Sequence, residues 1–360
     1  MASQARLFRM PLRYLQGPGV LERVGAVACA HGTRVGVVTD EAVGALYGAG
    51  VDAAIRTAGG QVRTETLAGD VTVGAVSKIA QKLEPFGPET IVGLGGGKAL
   101  DAAKGVAAER GLPFISAPTS ASNDSPTSAC YALYNEDHTL AGVRLLPENP
   151  VAVIVDTEII AKAPPATLRS GIGDALAKKF EAEACAAGQG VTPFETRPLL
   201  TSRAIADLAY ATLRADAAQA LADNAAGRVS EALENVIEAN LLMSGLGFEN
   251  GGLSLAHALT RGLGQLEGVR SAPHGLQIAW CLLIHLRVAG YQDDFLADLA
   301  EFYGQIGLPR TLQELGGRAP DSATANALAH AAFTAPHVKN FPAGTTPARV
   351  AEAILAHERP

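Results

Sequence analysis

Apolar and polar positions along the first half of the chain follow two alternating periods. Short apolar runs with the character of strands lie at 34–40, 60–67, 89–94, 113–117 and 151–155. Between them, 41–49, 73–83 and 98–109 carry apolar residues at helical spacing. Strand–helix alternation of this kind predicts a parallel sheet with helices on both faces. Ligands of such sheets bind at the carboxyl ends of the strands. Asp40, a glycine-rich turn at 93–97, a polar loop at 119–124 and Asp156 all fall at such ends.

Beyond Pro164-Pro165 the pattern changes. Ala and Leu dominate, β-branched runs disappear and helical periodicity continues. Candidate helices cover 167–187, 198–221, 228–246, 250–263, 274–289, 292–305 and 321–333, with loops at 191–198 and 316–320. The four glycines of 244–252 are expected to interrupt this run. The chain is therefore predicted to divide into an α/β domain, 1–164, and an all-helical domain, 165–360. No internal repeat or low-complexity segment is evident.

Composition narrows the class. Of 360 residues, 48% are apolar and only 18% charged. Fewer charges than usual leave more apolar surface to hide, which favours a homo-oligomer. A net charge of −7 without a Lys/Arg cluster argues against nucleic acid as a partner. The four cysteines, Cys29, Cys130, Cys185 and Cys281, form no C-x-x-C pair, which suits a reduced, cytoplasmic protein. The first ten residues lack the apolar core of a secretory leader, and no apolar run approaches the ~20 residues of a membrane span.

Gly93-Leu94-Gly95-Gly96-Gly97-Lys98 sits where a strand turns into a helix. Glycines let backbone N–H groups approach a bulky anion, a helix N-terminus adds unpaired donors, and Lys98 adds positive charge. A phosphate or pyrophosphate seat and a tight turn whose glycines serve packing both fit. The stretch matches neither G-x-G-x-x-G nor the P-loop pattern. Asp124 can cap a turn or accept a substrate hydroxyl. Asp40 can end its strand or hydrogen-bond a ribose, where its charge favours NAD over NADP. In the second half, Asp174, His257 and His274 make a reasonable zinc ligand set with an open position. A histidine that opens a helix, as His274 does, tends to be neutral, as metal binding requires. Taken singly, each histidine also reads as a hydrogen-bonded core or surface group. His31, His138, His285, His330, His337 and His357 are read as structural.

Together these residues resemble the iron-containing alcohol dehydrogenase superfamily, and within it the glycerol dehydrogenase branch. Gly95-Gly96-Gly97-Lys98 with Asp101 and Lys104 matches G-G-G-K-x-x-D-x-A-K. Pro118 to Pro126 matches P-T-x-A-S-x-D-A-P, with Ser125 in place of alanine. Leu145 to Pro150 matches L-L-P-x-N-P, and Gly171 to Leu176 matches G-I-G-D-A-L. Glu249 to Leu253 with His257 resembles E-S-G-G-L-x-x-A-H, and Asn340 to Gly344 resembles N-M-P-G-G. Arg13 to Gly17 is similar to the family's opening strand. Order and spacing are kept over nearly the whole chain.

The resemblance implies a Rossmann-like domain for NAD and a helical domain, in the dehydroquinate synthase-like architecture, with the site in the cleft between them. It implies Asp174, His257 and His274 as metal ligands, which form the catalytic set with Asp124 as the substrate-contacting acid. It places cofactor contacts at Gly95, Gly96, Gly97, Lys98, Asp101, Thr119, Ser122, Ser128, Cys130 and Tyr134, and Asp40 on the ribose. The activity implied is NAD-dependent oxidation of glycerol, or a similar vicinal diol, at its secondary hydroxyl to the ketone, dihydroxyacetone for glycerol. The metal polarises the hydroxyl and NAD takes the hydride. Two departures bear on this. Iron-type members carry a histidine four residues after the aspartate; Lys178 stands there, which implies zinc rather than iron (Fe2+). Leu276 replaces the glutamate of the family's H-G-E, which bears on the choice of polyol. The alternative is a glycerol-1-phosphate dehydrogenase, which shares the glycine turn, a similar loop and the three ligands; Arg261 and Arg270 would then meet the phosphate.

Overall fold

A computed structural model describes residues 5–137 and 139–359; His138 lies outside the described residues. Five strands precede a hairpin: β1 (Tyr14–Gly17), β2 (Arg34–Asp40), β3 (Gln61–Leu67), β4 (Thr90–Gly95) and β5 (Phe114–Pro118). The hairpin pairs β6 (Cys130–Tyr134) with β7 (Leu140–Leu145) in antiparallel register, and β8 (Ala152–Asp156) follows. β1 to β5 and β8 form one parallel sheet in the order β1-β8-β5-β4-β2-β3. β4, β5 and β8 are buried along their whole length, as expected where both sheet faces are covered. Val35, Val37, Val92, Leu94, Ile115 and Ile154 feed one core. Val38, Ile91 and Phe114 feed the other, with Val76, Ile79 and Val106 from the covering helices.

The strand order reverses once. From β2 the chain moves outward to β3 and then returns to the other side of β2 as β4. The carboxyl ends of β2 and β4 bracket this switch point, where open α/β sheets hold ligands.

Three of the structure's departures from the sequence reading bear on the architecture. The β6–β7 hairpin lies where no element was expected. β7 reads Leu-Ala-Gly-Val-Arg-Leu and is exposed along almost all of it, so no alternation marks a buried face. Second, Ser244–Gly251 is helical rather than an interruption. A methyl on Gly251 would stand 2.8 Å from Ala182 Cβ, so the small residue serves close helix packing, and the helix stops only at Gly252.

Third, residues 223–242 group with the α/β residues rather than with the helical half. Two compact units are present. The α/β unit comprises Met10–Pro164 and Asp223–Leu242; the helical unit comprises the described residues before Met10, then Pro165–Ala222 and the chain from Met243 onward. Glu231–Glu238 buries Leu233, Val236 and Ile237. Glu234 accepts from Gln16 Nε2 at 2.6 Å and from Thr157 Oγ1 at 2.7 Å. Asn224 Nδ2 donates to the carbonyls of Ile160, Ala161 and Ala163, closing the end of the Thr157–Ala161 helix. These polar ties cannot be read from periodicity.

In the helical unit, Pro165–Ala187 crosses His274–Ala289 in backbone contact. Gly173 and Gly275 permit it. A Cβ on Gly275 would stand 1.7 Å from the Ser170 carbonyl oxygen, and one on Gly173 would stand 2.3 Å from the Gly275 carbonyl oxygen. Gly275 N–H also donates to Ser170 Oγ at 3.2 Å. Asp174 directly follows one glycine and His274 directly precedes the other, so the crossing sets their separation. Gly275→Ala is expected to force the helices apart and to destabilise the fold by about 3 kcal/mol. Chemical denaturation reads this; an unchanged midpoint would show that the contact does not hold the two helices.

Candidate active site

Three helices, Pro165–Ala187, Leu255–Leu263 and His274–Ala289, bring Asp174, His257 and His274 together. One donor atom from each lies within 4.8 Å of the others. Asp174 and His257 are buried, whereas His274 is exposed. The two imidazole rings stand 5.5 Å apart, centroid to centroid.

The donor set fits a divalent metal. Asp174 Oδ2 is buried and has no hydrogen-bond partner. Burying a carboxylate oxygen in this way is costly unless a cation meets it. Two imidazoles and one carboxylate are a donor set of the kind that holds a divalent metal ion.

Glu181 was not found by sequence reasoning. It lies seven residues beyond Asp174, two turns along the same helix face, and is fully buried. Its Oε1 accepts from the backbone N–H groups of Ser254 at 2.9 Å and His257 at 3.0 Å. Its Oε2 faces His257 Nδ1. This pairing assigns the tautomer: the proton sits on Nδ1, and Nε2 turns its lone pair to the cluster. The signal in the sequence was an acid at i+7 from Asp174 in a helix otherwise rich in buried small and apolar residues.

Lys178, one turn past Asp174, points into the same place. Its Nζ is 2.6 Å from Asp174 Oδ1 and 3.1 Å from His257 Nε2. These charges shape one another. Burial alone would raise the Asp174 pKa, but Lys178 and then the two imidazoles hold it far below the usual carboxylate range. Burial would also raise Glu181, yet His257 brings it down to about 2. Burial would lower His257, but the Glu181 carboxylate outweighs it with help from Asp174, and the net shift is upward. His285, read as structural, packs its ring edge-on against Phe341 at 4.8 Å, and burial lowers its pKa to about 4.

In the α/β unit, Asp40 and the glycine turn meet at the switch point. Asp40 Oδ1 accepts from Val43 N–H at 2.9 Å. Its Oδ2 stands 3.2 Å from where a Gly95 Cβ would be. Gly95 has φ +150°, and a Cβ there would also lie 2.7 Å from Ala99 Cβ, so this turn requires glycine. Gly96 begins the Gly97–Arg110 helix without a side-chain cap, so no cap side chain meets the first N–H groups of this helix. Gly93 is different: it packs under Ala103 and Phe114, so the packing reading of the glycine run holds for this glycine. Lys98 is exposed and pairs with Asp70.

Thr119 N–H donates to the Gly95 carbonyl at 3.1 Å, tying the polar loop to the turn. Ser122 Oγ faces Ser120 Oγ at 3.5 Å, and Asp124 is half-buried in the same loop. Asp101 faces inward. It accepts from Ser125 Oγ at 2.6 Å and Ala132 N–H at 3.2 Å. Lys104 is fully buried and donates to the carbonyls of Ser125 and Cys130. The pair straps 125–132 to the glycine-turn helix, and the Asp101 carboxylate is engaged by the protein. Ser128 and Cys130 are buried in that strapped segment, and Tyr134 N–H donates to the Val71 carbonyl at 2.9 Å. Asp156 is a structural cap that accepts from Gly19, Leu21 and Glu158 N–H groups. No helix among the described residues is long and apolar enough to cross a membrane.

Comparison with known proteins identifies the family. Residues 16–164 match the model of the iron-containing alcohol dehydrogenases. The chain is 37% identical over 350 residues to a glycolaldehyde reductase of Halobacterium salinarum, covering 97% of this chain and 96% of that one. It is 35% identical over 355 residues to a glycerol dehydrogenase of Escherichia coli, covering 98% and 97%. The crystal structure of glycerol dehydrogenase from Schizosaccharomyces pombe superposes with a TM-score of 0.94 at 32% identity, covering 99% of this chain and 91% of that one. With matches that run nearly end to end, the chain belongs to the iron-containing alcohol dehydrogenase family.

Proposed function

We propose that this dehydrogenase oxidises glycerol, or a similar vicinal diol, at its secondary hydroxyl with NAD, giving dihydroxyacetone from glycerol. The observation that carries the reading is the cluster of Asp174, His257 and His274 with the unpartnered Asp174 Oδ2. In this reading those three residues hold zinc. Lys178 stands where a fourth ligand histidine would, and three protein ligands suit zinc better than iron. When bound, the metal supplies Lewis-acid polarisation of the hydroxyl and NAD supplies the hydride acceptor.

The chain's own residues do the rest. Glu181 keeps the proton on His257 Nδ1 and so keeps Nε2 a ligand. Gly95, Gly96, Gly97 and Lys98 seat the pyrophosphate at the helix N-terminus. Asp40 takes the ribose, and its charge disfavours a 2′-phosphate. Thr119, Ser122, Ser128, Cys130 and Tyr134 line the cofactor, while Asp101 acts by holding their segment in place. Asp124 accepts a hydrogen bond from the second hydroxyl of the diol.

The relatives named above act on glycerol and on glycolaldehyde. Both molecules carry oxygens on adjacent carbons, and neither is phosphorylated. That shared feature favours a vicinal pair of oxygens as the recognised group over glycerol 1-phosphate. Reduction of glycolaldehyde is the second reading, supported by the Halobacterium relative. The exposed Leu200 and Leu208 on one helix fit a homo-oligomer, and four free cysteines fit the cytoplasm.

Metal analysis of the purified protein is expected to find zinc. Among glycerol, 1,2-propanediol, glycolaldehyde, 2-propanol and glycerol 1-phosphate, the unphosphorylated compounds with vicinal oxygens should turn over fastest; preference for the phosphorylated polyol, or full activity of a metal-free His257→Ala variant, would overturn the reading. Asp124→Ala should lower kcat/KM for glycerol about 10- to 100-fold, the worth of one charged hydrogen bond, and should leave 2-propanol nearly unaffected. An equal loss on both substrates would remove the diol role. Metal binding requires neutral His257, whose pKa is raised. Zinc affinity should therefore fall as pH falls through that raised value, about tenfold per unit below it. A flat affinity between pH 8 and 5 would exclude His257 as a ligand.

A further inference from the structure

Lys178 has no place in the ligand set, yet it sits inside it. Its side chain is 1% exposed and lies one turn along the helix from Asp174. Its Nζ reaches Asp174 Oδ1 at 2.6 Å and His257 Nε2 at 3.1 Å. His257 Nε2 is itself 3.3 Å from Asp174 Oδ1. An ammonium donates hydrogen bonds and accepts none. With Nδ1 engaged by Glu181, the acceptor at His257 must be the Nε2 lone pair. That lone pair is the one a metal ion would need, and it cannot serve both.

We propose that Lys178 is a resident cation that competes with the divalent ion for this cluster. The inference rests on the metal-site reading. In the metal-free protein the ammonium satisfies Asp174 Oδ1 and His257 Nε2 together. Metal binding requires it to leave Nε2. Asp174 can be shared, with Oδ1 kept by Lys178 and the unpartnered Oδ2 given to the ion. The ring of Phe248, its centroid 5.7 Å from Nζ, offers a face over which the displaced ammonium can rest. Like charges repel strongly in a water-poor interior. Lys178 thus holds the ligands in place before the metal arrives and weakens the grip on the metal afterwards.

The test compares zinc affinity in the unmodified protein and in Lys178→Met, a side chain of similar length without charge, by competition with a chromophoric chelator. The variant is expected to bind zinc at least about tenfold more tightly, the scale on which residues behind the ligands tune metal affinity. Its metal-free form should melt at a lower temperature and gain more from added zinc. Equal or weaker affinity in the variant, with zinc still bound by the unmodified protein, overturns the inference alone. Failure of both proteins to bind zinc overturns the metal reading and the inference with it. A second measurement needs no variant. Among the described residues, two lysines, Lys104 and Lys178, are fully buried. Nitrogen-15 NMR of the unmodified protein should show two protected ammonium signals, and zinc should shift one of them. If zinc moves neither, Lys178 does not share the site.

Discussion

The candidate site depends on one constraint: charge placed where water cannot reach it. Asp174, Lys178 and Glu181 are each 1% exposed or less, and all three project from one face of one helix. Buried charges persist only when each meets a partner. Two carboxylates and one ammonium leave one negative charge unmatched. A proton on an imidazole can supply the balance, which is why the His257 pKa rises despite burial. A divalent ion can supply it too. Proton, lysine and metal therefore answer the same deficit.

Geometry meets this constraint through small residues. Gly173 and Gly275 let two helices touch backbone to backbone, and the residues beside them, Asp174 and His274, inherit a short separation. His257 is set differently. Glu181 gathers Ser254 N–H, His257 N–H and the His257 ring, so one carboxylate both starts the Leu255–Leu263 helix and orients its histidine. The three side chains of the cluster are thus placed by contacts between helices far apart in sequence, and no local pattern encodes them.

That division explains what was legible in the sequence. The parallel sheet was, because buried strands and amphipathic helices carry their own periods. Helices 73–83 and 274–289 match the expected bounds. The hairpin at 130–145 was not, since β7 has no buried face to alternate against. Nor was the placement of 223–242, which is decided by side chains such as Asn224 and Glu234 meeting carbonyls and amides elsewhere. Motif membership pointed to important residues without stating their work. Asn340 clasps Val191 and Leu253, and Asn250 pairs with the Arg9 backbone. Asp101 and Lys104 hold a loop. These are fold-building roles inside the family's signatures.

The position four residues after Asp174 shows how one helix face can decide two properties at once. A histidine there, as in the iron-type pattern, adds a ligand and brings no permanent charge. A lysine removes that ligand and adds a positive charge at the same point. Coordination number falls while the charge available to attract a metal also falls. Both changes act on the same atoms, Asp174 Oδ1 and His257 Nε2. Glu181, one turn further, stays on the face and keeps His257 aimed at the cluster in either case. On the proposed metal reading, metal choice and metal affinity are therefore coupled through a single side chain, and a substitution at Lys178 bears on both.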